Sequence, residues 1–378
     1  MRFPFAGFSW LVLGACAGPK TPDLAQTLQA LVDSTVAATP SIPGLIVRVQ
    51  APSIGLDWQG AAGLFDRSTG EKLQPDHTMR IASNTKTYVA TAVLRLVEDG
   101  KVGLDDAIAK HLSPESWAEL RRDGYDSEAI TVRHLLTHTS GIFDYAMAPE
   151  YAAAIGADFS HRWTRPEQLT FAVDKGAPYG KPGEVYHYSD TGYILLAELL
   201  ERTTGLSMSR AVATLVNYPK VGLAHTYFET LDSVPPGTPA RAHQYLDSTD
   251  SYRLDASHDL YGGGGIVTNL ADLTRFYRAL VRGEILTKPG ILDAMLAPST
   301  PSLGPDSVSG YGMGISRGKI GTELCYGHSG FWGTTARHCP ASDVTVATAD
   351  NRSPESANVG GLVAKRALEL VLAAVKKP

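Results

Sequence analysis

A serine hydroxyl becomes a nucleophile only when a neighbouring group takes its proton, and Ser83-Asn84-Thr85-Lys86 offers such a pair. The two residues are three apart at the start of a long apolar segment. In a helix they share one face, and the amine reaches the hydroxyl. A serine at a helix start also meets the positive end of the dipole and free backbone N–H groups, which favour a developing oxyanion. Spacing alone does not single out Ser83. Ser316-Arg317-Gly318-Lys319 has it too, and Gly314-Ile315-Ser316-Arg317-Gly318 matches the G-x-S-x-G elbow. An elbow needs a helix after its serine, whereas Arg317 to Gly321 reads as a hairpin turn, so context selects Ser83.

Tyr188-Ser189-Asp190 stands just before an apolar helical run, Thr191 to Leu200. A tyrosine beside an ammonium has its phenolate favoured and can act as a base near neutral pH. The same tripeptide also fits a packed aromatic with Asp190 as helix N-cap. A third group, Gly327-His328-Ser329-Gly330-Phe331-Trp332-Gly333, ends a strand-like run. A strand edge there supplies a backbone N–H to an oxyanion, and the glycines let a ligand approach the backbone closely. His134 and His138 have the i, i+4 spacing of a zinc pair but lack the glutamate of H-E-x-x-H, so no metal site is assigned. Tyr186 and His187 fit cleft-lining or packed roles equally, and Glu184 reads as a surface residue.

These groups need elements to hold them. Residues 24–38 have helical spacing of apolar positions, while Gly44 to Gln50 and Gly55 to Gly63 read as strands. From Ser83 to about Asp99 the pattern is a helix, apolar nearly all round and so central, with Gly100 as its C-terminal cap. Helices are expected at 131–138, 191–204 and 270–283, the last capped by Asn269. Strands follow at 311–315, 322–328, 334–339 and 343–348, then a final helix at 356–375. Two early strands, a helical middle and late hairpins predict an α+β fold. It has an antiparallel β-sheet flanked by helices and completed by both chain ends, carrying an all-helical insertion. The α/β part is 40–100 with 260–378, and the helical part is 101–259.

The chain has 378 residues, 43% of them hydrophobic, enough for a sizeable core. Net charge is -5 and the cations are scattered, which argues against a nucleic-acid partner. Arg2 followed by the apolar stretch Phe3 to Gly14 describes an export signal over residues 1–15. Leu13-Gly14-Ala15-Cys16 resembles the bacterial lipobox, which implies lipid attached to Cys16 and a protein tethered to a membrane in the periplasm or cell envelope. Residues 16–39 would then be tether and N-terminal helix, ahead of a single domain over 40–378. In an oxidising compartment Cys325 and Cys339, flanking a hairpin that turns near Trp332, are placed to pair as a disulfide. Two thiols alone fall short of zinc's four ligands.

Taken together and in this order, the three motifs resemble the serine β-lactamase and D-alanyl-D-alanine carboxypeptidase family, of the class C β-lactamase type. The resemblance runs from about 40 to 350. It includes Val132-Arg-His-Leu-Leu-Thr-His-Thr-Ser-Gly141, Tyr188-Ser-Asp-Thr-Gly-Tyr-Ile-Leu-Leu, Gly263-Gly-Gly-Ile-Val-Thr-Asn-Leu-Ala-Asp-Leu and Tyr311-Gly-Met-Gly. It implies the β-lactamase/transpeptidase-like fold, with Ser83 as acylated nucleophile, Lys86 as activator and Tyr188 as proton shuttle. It also implies His328-Ser329-Gly330 as third motif, an oxyanion held by the N–H groups of Ser83 and Phe331, and no metal or organic cofactor.

Two positions depart from the family pattern. Its second motif usually ends in asparagine; Asp190 keeps an acceptor for Lys86 but lacks the N–H donor when ionised. The carboxylate also holds Lys86 as ammonium, which shifts the base's duty toward Tyr188 and predicts weak recognition of penicillin-type acylamido groups. The third motif often begins with a lysine, where His328 is mostly uncharged at pH 7, which tilts the substrate toward esters or uncharged leaving groups. The expected activity is a serine hydrolase of small esters, peptides or β-lactam-like amides. The competing expectation is a catalytically silent envelope binding protein that keeps the cleft.

Overall fold

A computed structural model of the protein describes residues 23–299, 309–353 and 358–376. The expected signal peptide and Cys16 lie outside the described residues. Among the described residues no helix is long and apolar enough to cross a membrane.

The centre is a seven-stranded sheet, each neighbouring pair antiparallel. Its order across the sheet is Leu56–Gly63, Gly44–Ala51, Val344–Asp350, Thr334–Cys339, Glu323–Gly330, Ser316–Ile320 and Gly310–Tyr311. The early hairpin joins the late strands through the register Val47 opposite Thr348, so both chain ends complete one sheet, as the sequence predicts. Alternation along the strands sorts side chains onto two covered faces. Leu45, Val47, Val49, Val344 and Val346 face the helices Leu24–Ala38 and Val359–Val375. Ile46, Ala336, Ala347 and Ala349 face inward, where small residues let the helix Leu270–Val281 close on the sheet. The N-terminal helix is thus part of the domain and not of a tether, because Leu28 and Val32 are fully buried in that outer core.

The helix Thr85–Glu98 runs through the inner core, buried from Thr85 through Leu94. The helices Asp190–Thr204 and Met208–Val216 pack on it. Gly100 takes a left-handed φ of 70° just after its end, the capping role expected. Helices dominate the insertion as far as Val221. Beyond that, Tyr227–Phe228 pairs with Ile266–Thr268, which also pairs with Met79–Arg80, and a second small sheet includes Tyr245–Leu246 and Thr249–Asp250. The insertion is therefore not helical throughout, since its last third returns to brace the segment that leads into Ser83. The sequence also misplaces one turn: Arg317 to Ile320 is strand, paired with Glu323 to Tyr326, and the chain reverses at Gly321-Thr322.

Cys325 and Cys339 are joined, with Cα atoms 4.2 Å apart across the hairpin. Both are fully buried. A bridge spanning 14 residues is worth about 3 kcal/mol through the unfolded chain. Replacing both cysteines with alanine should lower the unfolding free energy by that order, read from denaturant midpoints with and without reductant. Equal midpoints for the oxidised wild type and the double variant would remove the bridge from the stability account.

Candidate active site

Ser83 sits in a single 3-10 turn, Ala82–Asn84, that feeds straight into the central helix. Ala82 carries φ of 42°, a left-handed value that a side chain resists, so the surroundings must impose it. Ile81 donates its N–H to Ile266 O at 3.0 Å. Asn84, fully buried, donates to Ile81 O at 3.3 Å and to Thr334 Oγ1 at 3.0 Å, and accepts from the Tyr277 hydroxyl at 2.9 Å. A β-carbon on Gly330 would lie 2.2 Å from Ile81 O. The glycine is what lets the third-motif strand run alongside the nucleophile turn. Asn84, Tyr277 and Thr334 escape the sequence reading because they do no chemistry; they hold the turn that does.

Lys86 is fully buried. Its Nζ lies 3.0 Å from Ser83 Oγ, 2.8 Å from Gly263 O and 2.5 Å from Asp190 Oδ1. The contact with Asp190 is a buried ion pair. Nζ also stands 4.9 Å from the ring centre of Tyr188 and 5.7 Å from that of Tyr193. Three acceptors and two aromatic faces are the surroundings an ammonium needs once water is removed. Asp190 is the first residue of its helix and Ser189 the cap, so Asp190 serves Lys86 and not the helix end.

Tyr188 corrects an expectation. A phenolate was anticipated beside the ammonium, yet burial, reinforced by the Asp190 carboxylate, pushes its phenol well above the ordinary value. The hydroxyl is buried without an aligned hydrogen bond, and Ser83 is the neighbour that pulls the other way. Tyr188 rests as a neutral phenol, suited to giving a proton and not to taking one.

Two further carboxylates surround the pair. Burial, with Asp190 close by, pushes Asp144 up to about 8 and Asp259 up to about 7. A β-carbon on Gly264 would fall 2.0 Å from Asp259 Oδ2, so the glycine run after Leu260 exists to fit between acids. Asp144 and Asp259 escape the sequence reading, because only the fold brings them to Lys86.

His328 is 6% exposed. Its Nδ1 lies 2.6 Å from Ser329 O and must donate there, which leaves Nε2 as the acceptor, 2.9 Å from the Tyr311 hydroxyl. Burial pushes the imidazole down to about 3. It is uncharged as expected, but both nitrogens are engaged within the protein, so it shapes the cleft wall and offers no free nitrogen to a substrate. The Ser329 hydroxyl contacts Thr335 Oγ1 at 3.2 Å, and Phe331 stands 45% exposed at the hairpin tip. Ser316 has no base beside it: Oγ donates to Gly327 O at 2.8 Å and accepts from Arg337 at 2.9 Å. The two spaced histidines also part company. His134 closes a capping box with Thr131, while His138 turns into the aromatic wall behind Tyr188. Tyr186 joins that wall, His187 stacks on Tyr179, and Glu184 is exposed.

A buried acid raised this far destabilises the fold as it ionises. For Asp144 the contribution is intact below the ordinary carboxylate range and is lost as pH rises toward about 8. Asp144→Asn cannot ionise, so the decline in melting temperature between about pH 5 and 8 should be shallower than in the wild type. Parallel melting curves across that range would show that Asp144 does not titrate there.

The sequence profile of the Beta-lactamase family matches residues 32–369. Penicillin-binding protein 4* of Bacillus subtilis (strain 168) is 25% identical over 285 residues, 71% of this chain and 59% of that protein. The chain therefore spans less than two thirds of that relative's length. Among solved structures, a D-stereospecific amidohydrolase from Streptomyces sp. superposes with a TM-score of 0.75 at 27% identity, covering 89% of this chain and 97% of that one. A D-amino acid amidase from Ochrobactrum anthropi SV3 gives 0.76 at 24% identity, covering 93% and 99%; at that identity the likeness speaks for the fold. A profile matching nearly the whole described chain, and the serine and tyrosine gathered about one buried lysine, lead to the same place: the chain belongs to the beta-lactamase family.

Proposed function

We propose that the protein is a serine hydrolase that forms an acyl-enzyme on Ser83. The observation that carries this reading is the buried Lys86 Nζ, 3.0 Å from the Ser83 hydroxyl and held by Gly263 O and Asp190. In the first step Ser83 Oγ attacks the acyl carbon, and the carbonyl electron pair moves to oxygen, where the N–H groups of Ser83 and Phe331 receive it. The serine proton passes to Lys86 as Lys86 gives one of its own to Asp190, the only way an ammonium can accept. Collapse expels the leaving group with the Tyr188 proton; Lys86 restores the tyrosine, and Asp190 returns its proton to Lys86. Water then cleaves the acyl-enzyme along the same path.

An uncharged, internally bonded His328 supports esters or amides without a carboxylate on the leaving side. The 27% identical Streptomyces amidohydrolase supports an amide as the substrate bond. Export, with a lipid tether through Cys16, belongs to the same proposal, and the buried Cys325–Cys339 bridge is its support, since such bonds persist in oxidising compartments.

Intact mass after a fluorophosphonate should show one adduct on the wild type and none on Ser83→Ala. No adduct on the wild type would turn the reading toward a silent binding protein. Asp190→Asn removes the proton acceptor but restores an amide donor. It should slow acylation by an activated ester about 100-fold, while the ratio of penicillin to ester reactivity rises. An unchanged ester rate would take Asp190 out of the proton path.

A further inference from the structure

His138 lies behind the proposed proton donor and is used by none of the steps above. It is 2% exposed and holds φ of 57°, a left-handed backbone that few residues other than glycine adopt, with asparagine, aspartate and histidine the most tolerant of it. That backbone lets one residue bind the chain on both sides of Tyr188. The His138 carbonyl accepts the N–H of His187 at 2.9 Å, and the ring Nδ1 accepts the N–H of Ser189 at 3.1 Å. The ring centre lies 4.1 Å from that of Tyr188, tilted by 31°. Upstream, the same two segments are joined by Gly183 N–H to Thr139 O and Tyr179 N–H to Gly141 O, each at 2.8 Å. Beyond Ser189 the chain enters the helix that carries Asp190.

An Nδ1 that accepts leaves Nε2 as the N–H nitrogen. That group is buried without a hydrogen-bond partner, among the rings of Tyr186, Tyr193 and Tyr311. An unpaired buried donor and a left-handed histidine are two unfavourable features at one residue. If His138 served packing alone, an apolar side chain on an ordinary backbone would fill the space without either.

We propose that His138 is a positioning residue for the reaction: its carbonyl and Nδ1 clamp the backbone on either side of Tyr188, and that clamp holds the phenol toward Ser83. This rests on Ser83 acylation as read above. The clamp works only in the Nε2–H tautomer, because a proton on Nδ1 would confront the Ser189 N–H.

Two variants separate the clamp from simple filling. His138→Gly relieves the backbone and removes the Nδ1 acceptor. His138→Asn tolerates the left-handed backbone and puts Oδ1 where Nδ1 stood. With both variants folded by circular dichroism, His138→Gly should lower kcat for an activated ester by about 100-fold with KM nearly unchanged, whereas His138→Asn should stay within about tenfold of wild type. Nitrogen-15 spectra of histidine-labelled protein should show His138 protonated on Nε2. Equal kcat for the two variants, a loss expressed in KM alone, or an Nδ1–H signal would each overturn the clamp. If fluorophosphonate fails to label the wild type, the hydrolase reading falls and the clamp's purpose with it. Labelling of the wild type with His138→Gly unimpaired overturns the clamp alone.

Discussion

One positive charge with no access to water organises this molecule. A buried ammonium is tolerated only where carbonyls, a carboxylate and aromatic faces replace its hydration shell, and Lys86 draws these from two stretches of chain far from its own. Gly263 comes from the glycine run that leads into the small supporting sheet, and Asp190 and Tyr188 from the entrance to a helix of the insertion. Ser83 is the remaining neighbour, so its hydroxyl is placed by the same requirement that keeps the charge in the fold. Removing any one partner leaves a desolvated cation rather than a gap.

That charge also explains the company of acids. Lys86 neutralises one carboxylate, yet three stand around it, and burial leaves the surplus no cheap way to ionise. Asp144 and Asp259 therefore answer to the charge on Asp190, and whatever alters the Lys86–Asp190 pair is felt by both. Tyr188 belongs to the same balance: the carboxylate that holds the lysine keeps the phenol protonated. A site with asparagine at 190 would lack that pressure on its tyrosine.

The elements and the Ser83–Lys86 contact were legible because they depend on local pattern. Alternation marks the strands, an apolar run marks the central helix, and the spacing of Ser83 and Lys86 survives translation into geometry. What the sequence hides is whatever depends on approach between distant segments. Nothing in Asp144, Asp259 or Tyr277 announces that the fold will carry them to Lys86 or to Asn84. The phenolate expectation failed for this reason: it counted the ammonium and could not count the desolvation and the second charge. Cys325 and Cys339 were readable because the hairpin between them is local. Ser316 was dismissed by a turn that proved to be a strand, yet the conclusion stands, since a hydroxyl between Gly327 O and Arg337 has no base.

The bond from Asn84 to Thr334 joins residues 250 positions apart. The turn that carries Ser83, with its left-handed Ala82, is thus secured by a hairpin made long after it in the chain. Long-range closures of this kind come late in folding. A chain still emerging, or one that has lost these strands, has Ser83 in sequence but no means of holding its turn in place. The Ser83 turn therefore takes its shape only once the whole domain has assembled.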